Sequence, residues 1–172
     1  MKRVLTITIV IIILFIAISC KAESVPEKSP SLFIKLEENN TPVQRIRTIQ
    51  GVTNWVWDGG AILSDSPHPL QLHPDNFSEA TLFISSNEAI IEMEFTGNFQ
   101  PDSISAVRWN AEHLTGRQPS EEAFDSWITV EVVDSKIIVS EDGENYVYQV
   151  TANWQNNSFV LYSFRIVFDI GN

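Results

Sequence analysis

Tyr146-Val147-Tyr148-Gln149-Val150-Thr151-Ala152-Asn153-Trp154 is the stretch that decides the fold. Tyr146, Tyr148, Val150, Ala152 and Trp154 fall on one side of a two-residue period, while Gln149, Thr151 and Asn153 fall on the other. Such alternation marks a strand with one face in a core and one in water. Val160, Tyr162, Phe164, Ile166 and Phe168 repeat the arrangement against Ser163, Arg165 and Asp169. Between the two runs, Gln155-Asn156-Asn157-Ser158 consists of residues that tolerate turn geometry. Together they read as an antiparallel hairpin with an aromatic inner face.

Upstream, strands are expected at Gln44 to Ile49, Asn54 to Trp57, Ala80 to Ser85, Ala89 to Phe95, Ser103 to Asn110, Trp127 to Val133 and Lys136 to Ser140. Turn signals separate most of them: Asp58-Gly59-Gly60, Ser86-Asn87, Gly97-Asn98, Asp134-Ser135 and Glu141-Asp142-Gly143. Only Ser120 to Asp125 reads as helical, with Ser120 as a cap and Glu121 and Glu122 near the positive end of the helix dipole. About seven or eight short strands with so little helix predict an all-β, two-sheet antiparallel sandwich of the immunoglobulin or fibronectin kind over residues 43–172. From Lys21 to Pro42 the composition turns to Pro, Ser, Glu and Lys, as in a flexible tether, here expected over residues 20–42. Within it, Leu32, Ile34 and Leu36 alternate with Phe33 and Lys35, so Ser31 to Leu36 reads equally well as a first edge strand.

Asp142-Gly143-Glu144-Asn145-Tyr146-Val147-Tyr148 is similar to the approach to the penultimate strand of immunoglobulin-like domains. That likeness makes Tyr146 a "tyrosine corner" whose hydroxyl bonds back to the backbone, and Trp109 the core tryptophan of an earlier strand. Pro101 to Trp109, with Tyr146-x-Tyr-x-Val-x-Ala-x-Trp154 and Tyr162-x-Phe-x-Ile166, resembles small extracytoplasmic domains of Gram-positive bacteria. Such domains occur in lipoproteins and at the C-termini of membrane proteins resembling β-lactam sensors of the metallopeptidase type. The resemblance covers about residues 45–170. It implies a sensor-like or accessory ectodomain, and the His-Glu-x-x-His signature of the peptidase is absent from the sequence.

The N-terminus carries a separate signal. Lys2 and Arg3 precede an apolar run from Val4 to Ile18, interrupted only by Thr6 and Thr8. A run of about 15 residues suits a signal peptide, expected over residues 1–19, better than the roughly 20 of a membrane span. It ends in Ala17-Ile18-Ser19-Cys20, which resembles the bacterial lipobox, with Ala17 where leucine is commonest. The resemblance implies lipidation on the sulfur of Cys20, cleavage just before it, and a domain held at the outer side of a membrane. Two alternatives are an ordinary secretory signal cut near Ser19 or Ala22, and an uncleaved anchor of the same orientation. Cys20 is the sole cysteine. The exported domain therefore has no internal disulfide and must be held by burial.

Loss of Lys2 and Arg3 leaves 9 Lys and Arg against 22 Asp and Glu, a net charge near −13. A surface of that sign argues against nucleic acid as a partner. The partners expected are a membrane, reached through the lipid, and an envelope protein or small ligand.

Residues able to carry chemistry are sparse. His68 and His73, with Asp65 and Asp75, lie in the proline-rich stretch Asp65 to Asp75; imidazoles and carboxylates grouped in this way form a candidate metal set. The competing reading is an exposed connection whose histidines face water. No Gly-x-Ser-x-Gly elbow, phosphate-binding glycine loop or calcium-loop pattern occurs, and no cofactor is expected. Glu92 and Glu94 alternate with Ile91, Met93 and Phe95, so they belong on a solvent face. Trp55 and Trp57, ending at Asp58, are either core residues or a stacking surface for sugars or peptides. Arg108 and Arg117 are candidates for carboxylate recognition or for simple salt bridges. The leading expectation is a non-catalytic binding, sensor-like or accessory module. The alternatives are a metal-binding protein or metal-dependent enzyme built on the His68/His73 loop, and a structural envelope protein.

Overall fold

The computed structural model describes residues 24–36 and 44–170. The expected signal peptide at residues 1–19, Cys20 and the stretch 37–43 lie outside the described residues. Strands follow in the order β1 (Leu32–Leu36), β2 (Gln44–Arg47), β3 (Ile49–Trp57), β4 (Gly60–Ser64), β5 (Thr81–Ile84) and β6 (Glu88–Phe95). They continue with β7 (Ser103–Asn110), β8 (Ile128–Val130), β9 (Lys136–Ser140), β10 (Tyr146–Asn153) and β11 (Phe159–Phe168). The chain is an all-β sandwich. One sheet has the order β2-β1-β6-β9, and the other runs β4-β3-β11-β10-β7-β8 with β5 alongside the end of β11. All pairs are antiparallel except β5 with β11, which is parallel.

The β10–β11 hairpin forms as its alternation requires. Tyr146 pairs with Ile166, Tyr148 with Phe164 and Val150 with Tyr162, so all six face the core together. Opposite them the four-stranded sheet turns in Leu32, Ile34 and Leu36 from β1, Ala89, Ile91, Met93 and Phe95 from β6, and Ile137 and Val139 from β9. The outward residues of β6 are Glu88, Ile90, Glu92 and Glu94, which places both glutamates of the sequence reading on the solvent face. Tyr148 stacks on Phe164 at 5.1 Å, and Trp154 meets Trp55 edge-on at 4.9 Å. The strand order β8-β7-β10-β11 facing β6 and β9 matches the C′-C-F-G and B-E arrangement of immunoglobulin-type sandwiches.

Four features differ from the expectation. First, eleven strands are present among the described residues rather than seven or eight; β2 and β3 fall where strands were expected, whereas β4 had no counterpart in the sequence reading. Second, the tether does not extend to residue 42. Val25 packs on the core, and β1 lies between β2 and β6 as an interior strand with Leu32 and Ile34 fully buried. Third, β4 shows no alternation because it is a sheet edge with all five residues exposed; its backbone pairing to β3 holds it. Fourth, Trp109 is buried on the outer face of the larger sheet, opposite Val147, and not between the sheets. Its indole N–H donates to the Phe124 carbonyl at 3.1 Å.

The turns follow their residues. Asp134 and Ser135 both adopt positive φ, 49° and 59°, a geometry suited to tight hairpins. Ser120 Oγ accepts from the Ala123 amide at 3.1 Å and so caps the helix Glu121–Asp125, as the sequence indicates. At the corner before β10, Gly143 sits at φ 89°, and Tyr146 donates its hydroxyl proton to the Asp142 carboxylate at 2.8 Å. The corner is thus closed by a side chain instead of the backbone. Arg108 completes it, lying 3.8 Å above the Tyr146 ring and 3.4 Å from Asp142. Burial, then the Asp142 hydrogen bond, push the Tyr146 hydroxyl up to about 12. Burial also raises Tyr148 and Tyr162, and these are all three tyrosines of the chain.

Two outcomes follow from this packing. Leu32→Ala removes an interior side chain and should cost about 2–5 kcal/mol in urea unfolding; a cost near zero would return that segment to a tether. Because the folded state favours neutral tyrosine, stability should be unaffected below pH 10 and should decline as pH rises from 10 through about 12. Near-ultraviolet titration should then show tyrosinate forming only together with loss of strand circular dichroism. A separate ionisation step near pH 10 in the folded protein would show a solvated tyrosine.

Candidate functional site

The tryptophan pair belongs largely to the core. Trp55 is fully buried, and its indole N–H donates to the Pro26 carbonyl at 2.8 Å, so it offers no contact surface. Trp57 is half-buried and lies across its own turn, beside exposed Asp58. A Cβ on Gly59 would sit 2.8 Å from Trp57 Nε1, and one on Gly60 3.1 Å from Cζ2. The two glycines are therefore required by the indole above them.

The histidine loop is a cover and not a free connection. Short 3₁₀ turns at Pro69–Gln71 and Pro74–Phe77 lay it over the outer face of the larger sheet, where Phe77, Ala80, Leu114 and Val147 form a second buried cluster. His68 Nδ1 accepts from the Leu70 amide and caps the first turn. Its ring lies 4.8 Å from Trp109 and 4.7 Å from Phe124. His73 is exposed and caps the second turn, accepting from the Asp75 amide, while Asp65 lies exposed at the start of the loop. Among the described residues no group of three or more His, Cys, Asp or Glu side chains could hold a metal ion. Burial holds the His68 imidazole below its ordinary value of 6.5.

Of the two arginines named from sequence, Arg108 is committed to Tyr146 and Asp142, and Arg117 is exposed. The functional candidate that sequence reasoning missed lies where the chain crosses between sheets. At Thr48 the chain leaves β2 for β3, and both its amide and its hydroxyl donate to the Leu32 carbonyl. Next to this crossing is a groove of about 420 Å³, lined by Lys28, Ser29, Ser31, Arg47, Gln50 and Thr53 among others. A second recess of about 540 Å³ shares Lys28, Ser29 and Ser31 and runs along the N-terminal segment to Ser24. None of the described residues lining either one is acidic.

A β-bulge builds this groove. Thr53 pairs with Val160 and Gln50 with Tyr162, so Gly51 and Val52 together oppose the single residue Leu161. The extra residue shifts the alternation and brings Gln50 and Thr53, three positions apart, to the same side of β3. Gln50 Nε2 then donates to Thr53 Oγ1 at 3.2 Å and to Ser29 Oγ at 2.9 Å. Tyr162 donates to the Pro30 carbonyl and fixes the opposite wall.

The electrostatics of neighbouring cations differ. On β2, Arg45 is neutralised by Glu94 at 2.9 Å and stacks on Phe33 at 3.7 Å. Arg47 donates to Ser31 Oγ at 3.3 Å and makes no ion pair with a described carboxylate; Lys28 makes none either. The groove thus presents an ammonium, most of a guanidinium fork and two serine hydroxyls with protons to donate. Its described lining supplies donors for an anionic or polar ligand and includes no imidazole or carboxylate.

The fold and this groove define an all-β sandwich with a donor-lined recess beside its N-terminal segment. No known protein family, curated protein or solved structure matches the chain.

The half-buried His68 cap has a pH consequence. A neutral imidazole is favoured in the folded state, so the contribution is complete above pH 6.5 and is lost as pH falls below that value. The thermal midpoint should drop on acidification through this window, and His68→Gln should flatten that part of the profile. Superimposable profiles for the two proteins would show that His68 takes up its proton without strain.

Proposed function

We propose that this chain is a lipid-anchored envelope protein, acylated on Cys20 and displaying its sandwich on the outer side of a membrane. The observation that carries the reading is the run Ala17-Ile18-Ser19-Cys20, which closes an apolar segment and contains the only cysteine of the chain. The domain acts there as a non-catalytic binding or accessory module, as the resemblance to extracytoplasmic Gram-positive domains implies. Its ligand site is the groove between Lys28 and Arg47, whose side chains offer hydrogen-bond donors with no acidic residue among the described lining.

The short separation in sequence between Cys20 and the core contact of Pro26 supports display close to the membrane. Lys21, Ala22 and Glu23 alone separate Cys20 from Ser24, where the described segment begins. Pro26 and Pro30 are already tied to Trp55 and Tyr162.

Fractionation tests the anchor. The wild-type protein should resist alkaline washing of membranes and carry a thioether-linked diacylglycerol on an N-terminal Cys20 by mass spectrometry. Cys20→Ala should release the protein or leave it unprocessed. An unmodified Cys20 in a chain beginning at Met1 would replace the proposal with an uncleaved helix, and a soluble chain starting near Ala22 would replace it with plain secretion.

A further inference from the structure

We infer that the Lys28–Arg47 groove is a phosphate-binding site that takes the headgroup phosphate of an anionic phospholipid from the membrane holding Cys20. The inference rests on the lipid-anchor reading for the source of the phosphate, and on the groove itself for the chemistry.

Geometry brings the groove to the bilayer. Four Cα steps from Cys20 to Ser24 reach no more than about 15 Å. Ser24 and Lys28 line one recess, which is continuous with the groove through Ser29 and Ser31. The anchored face is therefore this one, and the domain cannot turn it far from the headgroups.

Charge selects the ligand. The exported chain is strongly acidic, so anionic lipid repels most of its surface. That repulsion is screened beyond about 8–10 Å at physiological salt, whereas contacts inside the groove are not. Within the groove, Lys28 and Arg47 lack carboxylate partners among the described residues, while Arg45 on the same strand is paired with Glu94. A guanidinium fork, an ammonium and the hydroxyls of Ser29 and Ser31 match the several oxygens of one phosphate diester. Arg47 is pre-set by its bond to Ser31, and Ser29 by its bond from Gln50, so little order is lost on binding.

The test uses the full lipidated protein, purified from membranes and reconstituted in nanodiscs of phosphatidylcholine with or without phosphatidylglycerol. Intact mass first establishes the lipid on Cys20; its absence overturns the anchor and, with it, the lipid source. Acetylation of Lys28 by an amine-reactive ester is then followed by peptide mass spectrometry, with Lys136 on β9 as internal reference. Phosphatidylglycerol should slow the reaction of Lys28 at least fivefold relative to phosphatidylcholine alone, as expected from about fivefold per cation at an anionic surface, and leave Lys136 unchanged. Arg47→Gln should remove most of that protection, and Arg47→Lys should retain part of it. Equal Lys28 reactivity in both discs overturns selection of an anionic headgroup, because phosphatidylcholine carries the same phosphate diester, and reactivity in both discs equal to that in phosphate-free neutral detergent overturns the site. Equal protection by inorganic phosphate in neutral detergent overturns the membrane as the source and assigns the groove to a soluble phosphate. That arm needs no anchor, so failure of the groove and failure of the lipid reading give different results.

Discussion

Burial of one aromatic face, that of the β10–β11 hairpin, is the interaction on which the rest of this structure depends. With a single cysteine the chain has no internal disulfide, so the two sheets are held by what their facing side chains exclude from water. Tyr148, Tyr162 and Phe164 are fully buried at the centre of that face. A fully buried side chain such as Phe164 contributes roughly 1.5–3 kcal/mol, against a typical net stability of only about 5–15 kcal/mol for a domain. Strand β11 also carries most of the connectivity. It pairs with β10 along one edge, and along the other with β3 and then β5. Losing its register would detach three strands at once.

The same hairpin determines what happens at the groove. The bulge opposite Leu161 lies between the Thr53 and Asn54 pairs with β11 and the first residues of β3, which arrive from the other sheet through Thr48. Two of the large core aromatics have polar ends that need partners in a buried setting. Trp55 finds the Pro26 carbonyl and Tyr162 finds that of Pro30. Core packing thereby pins the N-terminal segment, and that segment supplies Lys28, Ser29 and Ser31 to the recess. A recess built this way has the sheet as one wall and the N-terminal segment as the other.

The outer face of the larger sheet is covered by a different device. The proline-stiffened loop from Asp65 to Ser78 carries Leu72 and Phe77 onto Val147, and its histidines serve as caps for the two short turns. Trp109 joins this layer through His68 and Phe124. Side chains that suggested metal chemistry in one dimension are therefore occupied in holding a cover in place.

Much of the sandwich was legible in the sequence because a two-residue period survives any tertiary arrangement. The β10–β11 stripe, the alternation of exposed and buried residues along β6 and the capped helix at Ser120 depend only on neighbours along the chain or on one cross-strand partner. Alternation reports that a residue has a buried side, but not which side of which sheet. It could not show that Leu32, Ile34 and Leu36 would lie in an interior strand, or that Trp109 would face outward. It was also silent on β4, whose five residues are all exposed. The groove was hidden for two physical reasons. A bulge breaks the period on which sequence reading relies, and the difference between Arg45 and Arg47 comes from a carboxylate on β6, 49 positions from Arg45. The sequence by itself determined that this protein is a β-rich domain whose strands carry a two-residue period. Only the tertiary structure decided which cations lack a carboxylate partner among the described residues and where they gather, because charge compensation is set by register and not by order along the chain.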